Sequence, residues 1–83
     1  MDRDGIKSKL AEIVISADES LAGWADRITD GTRIREDLGI NSVGMLYIAV
    51  MIEETFGITL NNVAVSDLAT IGDVVTLIGE RMP

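Results

Sequence analysis

The feature that most constrains the fold is an apolar run, Met45 to Ile52, near the middle of the chain. A run of this length is compatible with a buried strand as well as with a helix. However, helical spacing continues beyond it to Phe56, Gly57 stands where helices commonly end, and no second strand pattern is present to pair with it. The sequence therefore predicts a helix over residues 42–56. Its core-facing residues are predicted to be Met45, Leu46, Ala49, Ile52, Glu53 and Phe56.

Two other segments carry apolar residues at helical spacing. The first predicts a helix over about residues 4–17. The last begins at Thr70, which together with Asp73 matches a capping box, and runs towards Met82. Residues 62–68 predict one or two helical turns. The connection over 18–41 is long and holds several apolar residues, which indicates that it packs onto the helices. A loop of this length is usually either functional or carries short helices of its own.

These segments together predict an all-α fold: an antiparallel four-helix bundle of three main helices and one short helix, with a long first loop. A chain of 83 residues is enough for one small domain, so we interpret residues 1–83 as a single domain. Apolar residues make up 47% of the chain and only Trp24, Tyr47 and Phe56 are aromatic, so the core is predicted to be aliphatic.

The charge and composition exclude several functional classes. The net charge of −7 disfavours binding to nucleic acid or to an anionic membrane surface and favours basic protein partners. The absence of Cys and His removes thiol nucleophiles, disulfides and zinc sites of the Cys/His type. No signal sequence and no run long enough to cross a bilayer is visible, so we expect a cytoplasmic protein. We also expect it to act as a monomer.

An acidic stretch in the long connection partly matches a calcium-binding loop. Asp26, Asp30, Gly31 and Asp37 stand at the first, fifth, sixth and twelfth positions of an EF-hand pattern. The third position is Ile28, which offers no oxygen ligand, and the twelfth lacks the bidentate Glu. The sequence therefore predicts no metal site.

Ser42 stands at the start of the predicted helix 42–56. Backbone N–H groups and the positive end of the helix dipole suit a covalently attached phosphate ester at such a position. A serine there is also often only the N-cap of the helix. Catalysis would need a base within hydrogen-bond reach, and no suitable partner is visible in a chain without His. We therefore predict attachment at this serine rather than enzymatic turnover.

With Ser42 in this setting, the chain resembles an acyl carrier protein from about Ile6 to Ile78. The first predicted helix resembles the first carrier helix, and residues 34–39 resemble the loop that leads to the modified serine. Residues 41–43 (Asn-Ser-Val) stand where the family usually has Asp-Ser-Leu. Residues 52–58 resemble the end of the second carrier helix, and residues 69–74 resemble the start of the last one.

The resemblance implies that a phosphopantetheinyl transferase moves 4′-phosphopantetheine from coenzyme A onto Ser42. Asp37, Gly39 and Asn41 would support this site. The terminal thiol of the arm would hold acyl intermediates as thioesters and present them to an acyltransferase or acyl-activating enzyme, a ketosynthase and related synthase components. The lack of Cys is consistent with this function, because the chain then holds no internal thiol that competes for the thioester.

The chain departs from the family at three positions near the serine. Asn41 replaces the common Asp, and Gly44 and Tyr47 stand where many fatty-acid carriers have acids. Gly44 is expected to cost about 1 kcal/mol of helix propensity relative to Ala. These departures favour a polyketide, nonribosomal or otherwise specialised pathway over housekeeping fatty acid biosynthesis.

Partner docking is expected to use residues around this helix. The acidic candidates are Glu36, Glu53, Glu54 and Asp67. The apolar candidates are Val43, Tyr47, Val50 and Met51, which the sequence allows either to face partners or to be partly buried. Two other functions stay open at this point: a small acidic helical adaptor that binds proteins without a prosthetic group, and a small hydrolase that uses Ser42.

Overall fold

The computed structural model describes residues 2–82 and contains three α-helices, with a short 3₁₀ helix in each of the two connections. No strand is present within this range, where the β-type pairing is an isolated antiparallel bridge between Arg33 and Thr70. The predicted all-α class is confirmed. The helices are α1 (Arg3–Ala17), α2 (Ser42–Phe56) and α3 (Ile71–Arg81), and the 3₁₀ helices are Glu19–Trp24 and Val65–Asp67.

Local capping contacts determine where the helices begin and end. Thr70 Oγ1 accepts a hydrogen bond from the Asp73 N–H at 3.0 Å, and the Asp73 carboxylate accepts from the Thr70 N–H at 3.3 Å, so the predicted capping box is confirmed. Gly57 ends α2 in the left-handed conformation with φ 66°, as the sequence predicted. This conformation disfavours any residue with a Cβ, which explains why glycine stands there.

The core is mainly aliphatic, with Phe56 buried among the aliphatic side chains, and it joins all three helices to the long first connection. α1 packs against both α2 and α3. Apolar side chains from the long connection are buried as well, which confirms that this connection packs onto the helices. The buried residues that it contributes are Leu21, Ile28, Ile34, Leu38 and Ile40.

The predicted core face of α2 is wrong at Leu46. Leu46 is 61% exposed, whereas Ile48 is fully buried. The buried face consists of Met45, Ile48, Ile52 and Phe56. Because every residue from Met45 to Ile52 is apolar, the sequence shows no polar boundary that would reveal which side of this run faces inward. The packing of α2 against the rest of the core makes that choice.

Residues 30–34 run beside the start of α3 and are tied to it by three backbone hydrogen bonds. The N–H of Gly72 donates to the carbonyl of Asp30 at 2.8 Å, and the N–H of Ile71 donates to the carbonyl of Thr32 at 2.9 Å. The third bond runs the other way, from the N–H of Ile34 to the carbonyl of Ala69 at 3.0 Å. This pairing holds in place the part of the loop that leads to α2.

Candidate functional site

The Asp37 side chain hydrogen-bonds back to Arg33, four residues earlier, and so stabilises a turn in the loop before α2. Its carboxylate accepts one hydrogen bond from the backbone N–H of Arg33 at 2.8 Å and another from the Arg33 guanidinium at 3.1 Å. These bonds, the backbone one first, hold the pKa of the Asp37 carboxyl below its usual range. Asp37 is therefore ionised at neutral pH. Gly39 then turns the chain towards α2 with a left-handed φ of 69°.

Asn41 is the N-cap of α2. Its side-chain oxygen accepts a hydrogen bond from the N–H of Gly44 at 2.8 Å, and Ser42 is the first residue of the helix proper. The alternative in which Ser42 itself caps the helix is therefore wrong. An Asp at position 41 can cap a helix in the same way. The departure from the family's usual residue thus keeps the capping oxygen and removes a negative charge next to Ser42.

The Ser42 hydroxyl is exposed, and no residue in the described range 2–82 forms a hydrogen bond with it. The backbone N–H groups of Ser42 and Val43 also have no acceptor there, as expected for the first turn of a helix. The first turn of α2 contains no acidic residue. An accessible hydroxyl next to two unused N–H donors and the positive end of the helix dipole suits a phosphate ester.

Gly44 is required by a close contact that the sequence did not reveal. A Cβ added at this position would lie 2.7 Å from Ile40 Cγ2. Ile40 is buried, and its β-branched side chain has little rotational freedom. The glycine therefore lets the loop residue Ile40 pack directly against the first turn of α2, close to Ser42.

We expect Gly44→Ala to lower the free energy of unfolding by about 1 kcal/mol, because overpacking costs about 1–3 kcal/mol and outweighs the gain in helix propensity. Urea denaturation of the two proteins tests this. Gly79→Ala is the matched control, because a Cβ at Gly79 has its nearest neighbour, Ile6 Cδ1, at an ordinary 3.9 Å. The control should gain up to about 1 kcal/mol. An equal gain in Gly44→Ala would contradict the contact with Ile40.

An exposed apolar face on α2 begins one residue after Ser42. We call it the α2 apolar face and define it by Val43, Leu46, Tyr47 and Val50, which are 74%, 61%, 41% and 52% exposed. The sequence left open whether Val43, Tyr47 and Val50 face partners or are partly buried, and the structure shows that all three are exposed. Met51, the fourth predicted apolar residue, is half-buried against the core. Leu46 was missed because the sequence analysis assigned it to the core.

The acidic docking candidates differ in how much of their charge is used within the protein. Glu53 accepts a hydrogen bond from the N–H of Leu60 at 2.8 Å, and Asp67 accepts one from the N–H of Ala64 at 3.1 Å. Glu36 pairs with Arg33 at 2.6 Å. Glu54 is exposed, and no partner for it occurs in the described part of the chain. It is therefore the most available acid of the four for an external contact.

Two of the three acidic residues of the partial EF-hand pattern, Asp30 and Asp37, contact basic side chains. Asp30 pairs with Arg3 and Lys7, both at 3.2 Å, and Asp37 pairs with Arg33. Among residues 2–82 no three His, Cys, Asp or Glu side chains are grouped so that they could hold a metal ion. No helix in that range is both long and apolar enough to cross a membrane.

Comparison with known proteins identifies the family. Residues 9–78 match the family described as the phosphopantetheine attachment site. The chain is also 33% identical over 81 residues to the acyl carrier protein of Borreliella burgdorferi (strain ZS7), covering 98% of each protein. The chain belongs to the acyl carrier protein family. The acyl carrier protein of Arthrobacter sp. (strain FB24) is 35% identical over 74 residues, covering 76% of this chain and 91% of that protein.

The fold of a solved carrier agrees with this assignment. The solution structure of the apo doublet acyl carrier protein from prodigiosin biosynthesis matches 94% of this chain with a TM-score of 0.64 and 23% identity. The match spans 38% of that longer protein. It shows that the three α-helices and their connections form the helical bundle of a carrier protein.

Membership in this family establishes the general function. The protein carries covalently attached 4′-phosphopantetheine and is a carrier rather than a catalyst. Acyl carrier proteins are modified by a phosphopantetheinyl transferase and work with synthase enzymes. The two alternatives that the sequence left open, an adaptor without a prosthetic group and a hydrolase that uses Ser42, are therefore wrong.

Proposed function

We propose that Ser42 bears the 4′-phosphopantetheine arm and that residues 1–83 form one carrier domain for a specialised pathway of polyketide, nonribosomal or related type. The proposal rests on one observation, that the Ser42 hydroxyl is accessible and takes no part in capping the helix. It is exposed at the first residue of α2, and it is not used by the helix because Asn41 supplies the capping oxygen.

The chemistry at Ser42 is a group transfer in which this chain supplies only the acceptor oxygen. Ser42 Oγ forms a bond to the phosphorus next to the pantetheine of coenzyme A, the pyrophosphate bond breaks, and adenosine 3′,5′-bisphosphate leaves. The hydroxyl proton passes to a base of the transferase, because no side chain in the described range hydrogen-bonds to Ser42 Oγ. Once attached, the arm supplies a thiol that holds acyl groups as thioesters.

The surface of α2 supports the specialised pathway. The first turn holds no acid, and the positions that follow present the α2 apolar face. Partners that dock beside Ser42 therefore contact apolar side chains first, with Glu54 as an available charge further along the helix. Because apolar contacts are screened little by salt, docking that depends on this face is less sensitive to ionic strength than docking on a row of acids.

Partner binding must also be brief, since one carrier visits a transferase, an acyltransferase or acyl-activating enzyme, and a ketosynthase in turn. Small interfaces suit such transient encounters. The four side chains of the α2 apolar face together with Glu54 form a patch suited to such an interface. Asp37 and Gly39 contribute indirectly, because they shape the turn that delivers the chain to Asn41 and Ser42.

The test is to incubate the protein with coenzyme A and a broadly specific transferase and to measure its intact mass. We expect an increase equal to one phosphopantetheine group, with fragment spectra that place the addition on the peptide containing Ser42. The loaded protein is then offered separately to acyl-, malonyl- and aminoacyl-transferring enzymes. An addition on a peptide that lacks Ser42 would refute the proposed site. Acylation only by enzymes of housekeeping fatty acid synthesis would refute the specialised pathway.

A further inference from the structure

A cleft of about 290 Å³ opens between the loop before α2 and the second 3₁₀ helix. On the loop side it is lined by Arg33, Arg35 and Glu36, and on the other side by Ser66 and Leu68. Ala69 lines the cleft next to Leu68, so the cleft has an apolar side and a polar, charged side. We call it the Arg35 cleft. Its volume suits a small chemical group rather than a long acyl chain.

Arg35 is distinctive among the basic side chains. Of the seven Lys and Arg residues in the sequence, Arg35 forms no hydrogen bond, ion pair or cation–π contact with any residue in the described range. The other six all have such a contact. They are Arg3 and Lys7 with Asp30, Lys9 with Glu12, Arg27 over Trp24, Arg33 with Glu36 and Asp37, and Arg81 with the carbonyl of Thr59.

The exposed Arg35 guanidinium has no protein partner among residues 2–82, although the chain has twice as many acidic as basic residues. The carboxylate that also lines the cleft does not neutralise it, because Glu36 pairs with Arg33 at 2.6 Å. Arg33 is further held by Asp37 at 3.1 Å. The Ser66 hydroxyl likewise has no hydrogen-bond partner among residues 2–82. The cleft thus offers two unused donors, the Arg35 guanidinium and the Ser66 hydroxyl.

The two sides of the cleft are held at a defined separation. The N–H of Ile34, the residue before Arg35, donates to the carbonyl of Ala69, the residue after Leu68, at 3.0 Å. The bridge between Arg33 and Thr70 adds to this connection. The cleft is therefore formed before any ligand arrives, and binding does not need to order its backbone.

We propose that the Arg35 cleft holds the terminal carboxylate of a short dicarboxylic acyl group carried on the arm. The Arg35 guanidinium and the Ser66 hydroxyl donate hydrogen bonds to the carboxylate, and the methylene groups behind it pack against Leu68. The inference rests on the proposed attachment of the arm to Ser42. It extends that proposal to the kind of acyl group carried, because an acyl group without a second carboxylate leaves the Arg35 guanidinium and the Ser66 hydroxyl unused.

The cleft lies within reach of the arm. The N–H of Ile40 donates to the carbonyl of Ile34 at 3.4 Å, which brings the two ends of the loop together. From this contact and the spacing of consecutive Cα atoms, the Cα atoms of Arg35 and Ser42 lie at most roughly 18 Å apart. An extended pantetheine arm with a short acyl group covers a distance of that order.

The tether also explains why the ligand is the cargo rather than a free anion. A single exposed pair between Arg and a carboxylate is weak in water. A carboxylate tethered by a flexible arm is present at an effective concentration of about millimolar, whatever its concentration in solution. A dissociation constant of about millimolar, which needs both donors and the contact with Leu68 rather than a single pair, is then sufficient to keep the cargo in the cleft about half of the time and still allows its release to a partner enzyme.

The test compares the carrier loaded with a glutaryl thioester and the carrier loaded with a pentanoyl thioester, two acyl groups with the same number of carbon atoms. Backbone amide spectra are recorded for both. We expect the amides of Arg35, Ser66 and Leu68 to shift with glutaryl and not with pentanoyl. Arg35→Gln should lose these shifts. Arg27→Gln, which removes an exposed guanidinium that does not line the cleft, should keep them.

Three outcomes would overturn the inference. These are equal shifts with both acyl groups, glutaryl shifts that persist in Arg35→Gln, and an absence of cleft shifts in protein that is shown by mass to be fully loaded at Ser42. Free glutarate added to unloaded protein at micromolar concentration, far below the effective concentration that the arm provides, separates the two sources of the carboxylate, and equal shifts there would overturn the tethered ligand. Failure to load Ser42 at all would instead refute the proposed function.

Discussion

Ser42→Ala is expected to take up no phosphopantetheine from coenzyme A, whereas the native protein is loaded to completion under the same conditions. The substitution removes only the acceptor oxygen. Ser42 is exposed and the cap is supplied by Asn41, so the helix loses no hydrogen bond and Ala is well tolerated in its first turn. Intact mass after incubation with the transferase measures the loss, and urea denaturation should show an unchanged unfolding midpoint.

Ser8→Ala is the matched control for this loss. Ser8 is an exposed serine in α1 whose hydroxyl, like that of Ser42, has no hydrogen-bond partner among the described residues. We expect it to be loaded as completely as the native protein. Loading of Ser42→Ala at the native rate would show that another hydroxyl accepts the arm. Loss of loading in both variants would show that the assay, rather than the acceptor, had failed.

Ile48→Ala is expected to lower the free energy of unfolding by about 2–5 kcal/mol, because it leaves a cavity where a fully buried side chain packs against the core. Small domains unfold with only about 5–15 kcal/mol, so this single change removes a large fraction of the stability. Leu46→Ala, two residues away on the same helix, should stay within about 0.5 kcal/mol of the native value because Leu46 is exposed.

The free energies of unfolding of Ile48→Ala, Leu46→Ala and the native protein are measured at one temperature by urea denaturation. Unfolding is followed by circular dichroism at 222 nm, a wavelength characteristic of helices. The two substitutions remove aliphatic side chains of equal size from one helix, so their difference reports burial rather than helix propensity. Equal losses in the two variants would show that the inward-facing side of α2 is not the one described above. A larger loss in Leu46→Ala would favour the face that the sequence alone predicted.

The difference between Leu46 and Ile48 shows where prediction from the sequence stopped. The existence of α2, its start at Ser42 and its stop at Gly57 were all predicted, because capping residues and a left-handed glycine act within a few residues of chain. The inward face was not, because the run Met45 to Ile52 is apolar on every side. The choice between faces depends on contacts with α1 and with the rest of the core.

The residues of the candidate site also fall into those that the sequence predicted and those that only the structure explains. Ser42 could be found from its position before an apolar helix, and Asp37, Gly39 and Asn41 from the family resemblance. The reason for Gly44 could not, because it lies in the contact with Ile40. The internal hydrogen bond of Glu53 was also not predictable, since Leu60 follows only after the chain has turned at Gly57.

The sequence by itself determined the helical class, the ends of the main helices and the serine at the start of α2. Each depends on local spacing, capping and backbone conformation, which neighbouring residues set. The tertiary structure alone decided which face of α2 is buried and how the Arg35 cleft is assembled. These depend on residues far apart in the chain, such as Arg35 and Leu68, which meet only when backbone hydrogen bonds join the first loop to the start of α3.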